Sequence, residues 1–276
     1  METGDVSIAG GVVVGPARAL LVIAGPCVME SEALCVDVAG AAAEVCRRLG
    51  LPYVFKASFD KANRTSISSF RGPGLEAGLE VLAGVKRQVG VPVLTDIHHP
   101  AQAEAAAQVV DVLQVPAFLC RQTDLVVAAA ETCLPVHVKK AQFMSPADMS
   151  NVVEKIHSRG NRRVLLCERG TAFGYNNLVV DFRSIPAMRA LGCPVIYDVT
   201  HSVMRPGGLG GRSGGDREMA PPLAAAAVAA GADGLFIETH PQPEKGLSDA
   251  ATMLPLAELE PLLERLQFIA AAAAGR

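Results

Sequence analysis

The chain has 276 residues, half of them hydrophobic and 19% charged, with a formal net charge of −3. That length buries a large core and fits one α/β barrel as readily as two domains, while the slight acidity argues against a nucleic-acid binder, whose basic excess would show. Seven cysteines without paired spacings speak against a secreted disulfide framework and for a reducing cytosol.

The first residues, METGDVS, carry acids where a signal peptide carries lysine or arginine, and VSIAGGVVVGPA within residues 1–18 reads as a small hairpin capping a barrel bottom. The following VVVGPARALLVIAG is broken by Gly15, Pro16 and Arg18, so it falls short of the ~20 apolar residues of a membrane span. A soluble, cytoplasmic protein is the expectation, with no membrane or nucleic-acid partner.

Next comes ALLVIAGPC (19–27), a strand, then a helical stretch over 31–50 ending at Gly50. The strand YVFKAS (53–58) leads through the polar loop SFDKANRTS to a helix over 74–90, ended by Gly90. VPVLTD (91–96), VVDVLQVP (109–116) and PVHVKK (135–140) are strands. The spacing predicts a helix over 145–160 with Ser145 as N-cap, Pro146 at its first position and Gly160 as a left-handed C-cap. RVLLCERG (163–170), PVIYDVTH (194–201) and DGLFIETH (233–240) complete the strands, LAAAAVAAGA (223–232) reads as helix, and a last helix covers 256–272.

The strand runs are continuous in Val, Ile and Leu rather than alternating, as in parallel strands covered on both faces. Eight strands alternating with helices predict a TIM barrel over 19–272, in a single domain spanning 1–276. A doubly wound sheet is the alternative, but no Gly-x-Gly-x-x-Gly follows the first strand.

The strands stop on functional residue types: Cys27, then Lys56 and Ser58, Asp96, Gln114, Lys139 and Lys140, Glu168 and Arg169, His201, and finally Glu238 and His240. In a barrel those ends share one mouth, where active sites are built. Lys56, Lys61, Arg64, Lys139, Lys140 and Arg169, with Arg121 nearby, are prepared for phosphate or carboxylate. Taken singly, each lysine also reads as a solvated strand cap. Cys27, His201, Glu238 and Asp249 suit a divalent transition metal. Taken singly, Cys27 reads as a buried thiol, His201 as a hydrogen-bonded strand end, and Asp249 as a helix N-cap. The other cysteines read as packing, and PGGLGGRSGGD (206–216) as either a lid over the mouth or a plain surface loop.

FKASFDKANRTSISSFRGPG, VPAFLCRQTDL, VKKAQFMSP, ERGTAFGYNNLVVDFRS, YDVTHSV and IETHPQPEKGLSDAATMLPL resemble the 3-deoxy-D-manno-octulosonate 8-phosphate synthase family over about residues 22–263. The resemblance implies a TIM-barrel homotetramer that forms a C–C bond between phosphoenolpyruvate and arabinose 5-phosphate and releases phosphate. Cys27 and the LSDA around Asp249 match the metal-dependent branch, where the other branch carries asparagine and CDGP. The implied metal ligands are Cys27, His201, Glu238 and Asp249, holding one divalent ion (Zn, Fe, Mn, Co or Cd). The implied catalytic set is Lys139, Asp96, Asn63 and His201. Substrate contacts would come from Lys56, Ser58, Lys61, Asn63, Arg64, Thr65, Gln114, Lys139 and Arg169. Phe118 and Arg121 match a subunit-interface segment, with Arg121 serving a neighbouring site.

Two departures stand out: His99 replaces an expected glutamate, and Met204-Arg205 replaces Gln-Leu, adding a cation to the loop after the seventh strand. Rival readings are the heptulosonate 7-phosphate synthases, which take erythrose 4-phosphate and carry Lys-Pro-Arg where this chain has KANR, a Schiff-base aldolase acting through Lys139, and a sugar-phosphate-binding regulator.

Overall fold

Eight parallel strands close on themselves in the computed structural model, which describes residues 3–63, 66–175, 177–208 and 214–274. They are β1 Leu21–Gly25, β2 Tyr53–Lys56, β3 Val93–Asp96, β4 Val112–Val115, β5 Val136–Lys139, β6 Val164–Glu168, β7 Val195–Asp198 and β8 Gly234–His240. Each pairs with its sequence neighbour, and β8 returns to β1 with Glu238 opposite Gly25, which shuts the ring. Between them run α1 Glu32–Leu49, α2 Leu75–Val89, α3 Gln102–Ala107, α4 Thr123–Glu131, α5 Met149–His157, α6 Ser184–Arg189 and α7 Ala220–Ala229. The helix α8 Leu259–Ala273 follows β8. This is the predicted TIM barrel.

Side chains along a strand face opposite ways in turn, and here they separate into two cores. Leu21, Ile23, Val54, Leu94, Val112, Leu165, Cys167, Ile196 and Phe236 pack with Val6, Ile8, Val12 and Val14 of the N-terminal hairpin, filling the inside of the barrel. The alternate positions, such as Val22, Phe55, Leu113, Val138, Leu166, Tyr197 and Ile237, pack under the helices. Each fully buried aliphatic contributes about 1.5–3 kcal/mol. The hairpin pairs Val6–Ser7 with Val13–Val14 and plugs the bottom, as the sequence predicts.

Two residues beyond the apolar inner layer, the same parity brings Lys56, Asp96, Gln114, Lys139, Arg169, Asp198 and Glu238 to one level beside Gly25. Position 25 has to be glycine, because a Cβ there would lie 2.0 Å from the Lys56 carbonyl oxygen. That close approach seats the Gly-Pro-Cys turn against β2.

Helix ends follow the sequence at Ser31, whose Oγ accepts from Leu34 N at 3.1 Å, and at Gly50 and Gly90, both left-handed caps. The 145–160 helix is shorter than predicted. Residues 145–148 form a run of tight i→i+3 turns, with Met149 N bonded to Pro146 O and Asp148 N to Ser145 O. The α-helix begins only at Met149, and left-handed Gly160 (φ 77°) falls beyond its end. Among the described residues, no helix is long and apolar enough to cross a membrane.

Candidate active site

The polar level opens into a cleft of about 980 Å³ at the C-terminal ends of the strands. Of the predicted site residues, Lys56, Ser58, Lys61, Asn63, Asp96, Gln114, Lys139, Arg169, His201, Glu238 and Asp249 line it. Arg64 and Thr65 lie outside the described residues. Arg121 is exposed and apart from the described lining of its own chain's cleft, its carbonyl accepting from Lys155 Nζ, whereas Phe118 reaches the cleft.

Not every polar strand end faces the mouth. Lys140 follows Lys139 and therefore points the other way, buried with Nζ 3.1 Å from Thr171 Oγ1 and 3.6 Å from Glu168 Oε1. That corrects its assignment to the phosphate-binding rim. Of the two departures, His99 sits on the surface and caps its own turn through Ala101 N, outside the cleft. Arg205 is paired with Asp216 at 2.7 Å across a short two-stranded ribbon, so the added cation is neutralised locally.

Beneath the cleft, Cys27 Sγ, a Glu238 oxygen and an Asp249 oxygen lie within 4.8 Å of one another. Cys27 is buried, its Sγ 2.8 Å from Ser248 Oγ and 3.2 Å from Asp249 Oδ2. The N-cap reading of Asp249 does not hold. Its backbone is left-handed (φ 46°), its carbonyl accepts from Thr252 N and Met253 N in a turn, and its side chain faces the thiol. A non-glycine residue held there is the kind of local strain found at functional sites. Glu238 Oε2 is buried without a hydrogen-bond partner among the described residues. A thiol with two carboxylates, one of them carrying an orphaned buried oxygen, fits a divalent cation.

His201 stands beside this trio rather than within it. Its Nε2 lies 3.6 Å from Glu238 Oε2 and 3.9 Å from Asp249 Oδ2, while Nδ1 is 2.9 Å from Asp198.

Cations surround the carboxylates. Lys56 Nζ donates to Glu238 Oε1 at 2.9 Å and to the Cys27 carbonyl at 3.0 Å, and Lys61 Nζ is 3.5 Å from the same Glu238 oxygen. Burial alone would raise the Glu238 carboxyl, but Lys56, Lys61, His201 and Lys139 outweigh it and hold it well below the usual range. Burial likewise opposes the Lys61 charge, yet Cys27, Glu238, Asp96 and Asp249 raise that ammonium well above its ordinary value. The Cys27 thiol is pushed well up by burial, and further by Asp249 and Glu238. Arg169 is buried, and two of its nitrogens, Nε and Nη1, have no hydrogen-bond partner among the described residues. A guanidinium with unfilled donors in a polar cleft suits an anion.

The sequence reading missed three ionisable residues that the fold brings to this level. His98 lines the cleft, with Nε2 3.0 Å from Asp96 Oδ2. Asp198 is fully buried and holds Lys139 Nζ at 2.6 Å. His137 lies under Gln114, Nδ1 to Oε1 3.0 Å, stacked on Phe236. Continuing the inner parity through VHVK and VIYD would have found His137 and Asp198.

These groups predict how stability varies with pH. Burial, then the charges of Lys139 and Lys56 against the opposing Asp198, push the His137 pKa down to about 3. An unfolded histidine titrates at about 6.5, so below that pH the unfolded chain takes up a proton that the folded chain refuses. Burial raises Asp96 and Asp198, but His98, Lys56 and Lys61 for the first, and His201, Lys139 and Arg169 for the second, hold both below the carboxylate range. Their stabilisation is full above about pH 4 and is lost as pH falls through the folded values. Both contributions have one sign. Urea titrations are expected to show a decline of up to about 1.4 kcal/mol per pH unit from pH 6 to 4, steeper below. A stability maximum near pH 4.5 would contradict the assignment.

The model of the DAHP synthetase I family matches residues 4–271. Among curated relatives, the 2-dehydro-3-deoxyphosphooctonate aldolase of Desulfotalea psychrophila is 56% identical over 95% of this chain and 93% of its own. The protein of the same name from a Cyanothece species is 57% identical over 95% and 96%, and that of Syntrophotalea carbinolica 54% over 100% and 97%. With a barrel mouth that carries a buried arginine with unfilled donors above a thiol–carboxylate trio, and with relatives this close over nearly their full length, the chain belongs to the DAHP synthetase I family and, within it, to the 2-dehydro-3-deoxyphosphooctonate aldolases.

Proposed function

We propose that the protein condenses phosphoenolpyruvate with D-arabinose 5-phosphate and water, giving 3-deoxy-D-manno-octulosonate 8-phosphate and inorganic phosphate, with one divalent metal ion and without a Schiff base. The observation that carries this reading is the pairing, in one cleft, of the buried Arg169 with unfilled donors and the Cys27–Glu238–Asp249 trio. The shared name of the close relatives supports the same chemistry.

In the proposed reaction, C3 of the enol phosphate attacks the aldehyde carbon of the open-chain pentose. Water captures the positive charge developing at C2, and the hemiketal phosphate then collapses by C–O cleavage, releasing phosphate. Arg169 and Lys139 hold the carboxylate and phosphate of phosphoenolpyruvate. Lys61 and Asn63, with Arg64 and Thr65 of the same loop, receive the sugar phosphate. Asp96, fixed by His98, orients a hydroxyl or a water in the centre. Placing two mutually repelling polyanions at bonding distance is worth about 7–11 kcal/mol of barrier. A divalent ion held by Cys27, Glu238 and Asp249, with His201 beside them, would supply Lewis-acid polarisation. Lys139 is committed to Asp198 at 2.6 Å, which supports a charge clamp rather than a free-amine nucleophile. The exposed Phe118, Phe143 and Phe173 on the loops after β4, β5 and β6 support a contact between copies of the chain; a homotetramer is the proposed assembly and the cytoplasm the proposed location.

The test measures phosphate release from phosphoenolpyruvate with each of two sugar phosphates. Turnover is expected with arabinose 5-phosphate, its loss on EDTA treatment, and its recovery with Mn²⁺, Co²⁺ or Zn²⁺. Preference for erythrose 4-phosphate would make the protein a heptulosonate synthase. Indifference to EDTA would remove the metal, and borohydride trapping at Lys139 would replace the mechanism.

A further inference from the structure

We infer that Asp198 is a positioning residue that couples the cation site to the anion clamp; the inference rests on the reading of Lys139 and of the metal trio given above. Asp198 is fully buried on β7, and both its oxygens are committed. Oδ2 accepts from Lys139 Nζ at 2.6 Å and Oδ1 from His201 N at 2.9 Å, while His201 Nδ1 lies 2.9 Å from both oxygens. An imidazole whose Nδ1–H is tied to a carboxylate presents its Nε2 lone pair outward. That nitrogen faces Glu238 and Asp249, at 3.6 and 3.9 Å.

Lys139 is fixed from the other side by the same carboxylate. Its Nζ sits 3.5 Å from the centroid of the Phe236 ring and 3.5 Å from His201 Nδ1. A single anion therefore aims the histidine at the metal trio and the lysine at the substrate. It also offsets the repulsion between the ammonium and a bound cation. A ligand at either place then strengthens the other, and the coupling is reciprocal.

The experiment is calorimetry on metal-stripped protein with Mn²⁺ alone, and with phosphoenolpyruvate in the presence and absence of Mn²⁺. In wild type, Mn²⁺ is expected to tighten phosphoenolpyruvate binding. Asp198→Asn removes the shared negative charge and replaces one acceptor oxygen by an N–H donor, so its Kd for Mn²⁺ is expected to rise by about 10–100-fold, and phosphoenolpyruvate binding to lose its response to Mn²⁺. Because that variant leaves Lys139 buried and unpaired, Lys139→Met/Asp198→Leu, which removes both charges and every acceptor for His201 Nδ1, provides a second protein in which the same loss of Mn²⁺ affinity is expected. A folded variant that binds Mn²⁺ within twofold of wild type, or a wild type whose phosphoenolpyruvate affinity ignores Mn²⁺, overturns the coupling. A wild type that releases no phosphate with any metal overturns the functional reading beneath it.

Discussion

Arg169→Met is expected to lower kcat/KM for phosphoenolpyruvate by about 10²–10³, while the barrel stays folded and its melting temperature holds or rises. The guanidinium is 5% exposed at the end of β6, and Nε and Nη1 have no partner among the described residues. Burial lowers its pKa against the pull of Asp198, Cys167, Asp249 and Glu168, so the protein bears a cost to keep a charge there. Such a residue is retained for what it binds. Truncating one partner of a buried charge pair costs about 3–4 kcal/mol, which is the quoted factor. Arg169→Lys is expected to recover little, because an ammonium lacks the planar pair of donors that matches a carboxylate or phosphate. Steady-state kinetics with phosphoenolpyruvate as the varied substrate, beside a melting curve, decides the matter. A kcat/KM within twofold of wild type would show that the arginine faces no substrate.

Much of this site was legible because a parallel barrel imposes a simple rule. Strands covered on both faces read as continuous Val, Ile and Leu runs, and their C-terminal ends must meet. Lys56, Asp96, Gln114, Lys139, Arg169 and Glu238 were found that way and do share one cleft. The rule says nothing about which of two adjacent polar residues turns inward. Lys139 enters the cleft and Lys140 goes under the helices to Glu168 and Thr171. Asp198 was missed because the strand reading ran on to His201, although β7 ends at Asp198. Asp249 reads from local sequence as a cap, and only the return of the β8 loop onto β1 turns it toward Cys27, 222 residues away. Lys56 illustrates a third limit. Its place was legible, but its commitment to Glu238 and the Cys27 carbonyl depends on three strands meeting.

Cys27 carries the other large effect. Cys27→Ala is expected to bind no metal and to lose about 10³-fold in turnover, since Lewis-acid stabilisation is worth several kcal/mol. Cys27→Asn is expected to bind no metal either, yet to keep measurable activity that EDTA does not touch. The reason lies in what surrounds the side chain. Ser248 Oγ and Asp249 Oδ2 are 2.8 and 3.2 Å from the sulfur, and Glu238 completes the trio. Removing the sulfur takes the only thiolate from the trio and leaves Asp249 Oδ2 without its neighbour at 3.2 Å, so two carboxylates with His201 beside them have too few ligands to hold an ion. A carboxamide at position 27 brings two N–H donors to the same place and can satisfy Asp249 without a cation. The two substitutions therefore separate geometry from chemistry. Metal content per chain, turnover with and without EDTA, and phosphoenolpyruvate affinity are measured on both variants. Should Cys27→Asn fold, bind phosphoenolpyruvate and turn nothing over, the ion at this site does more than hold Glu238 and Asp249 in place, because an amide that restores their spacing would have failed to restore the reaction.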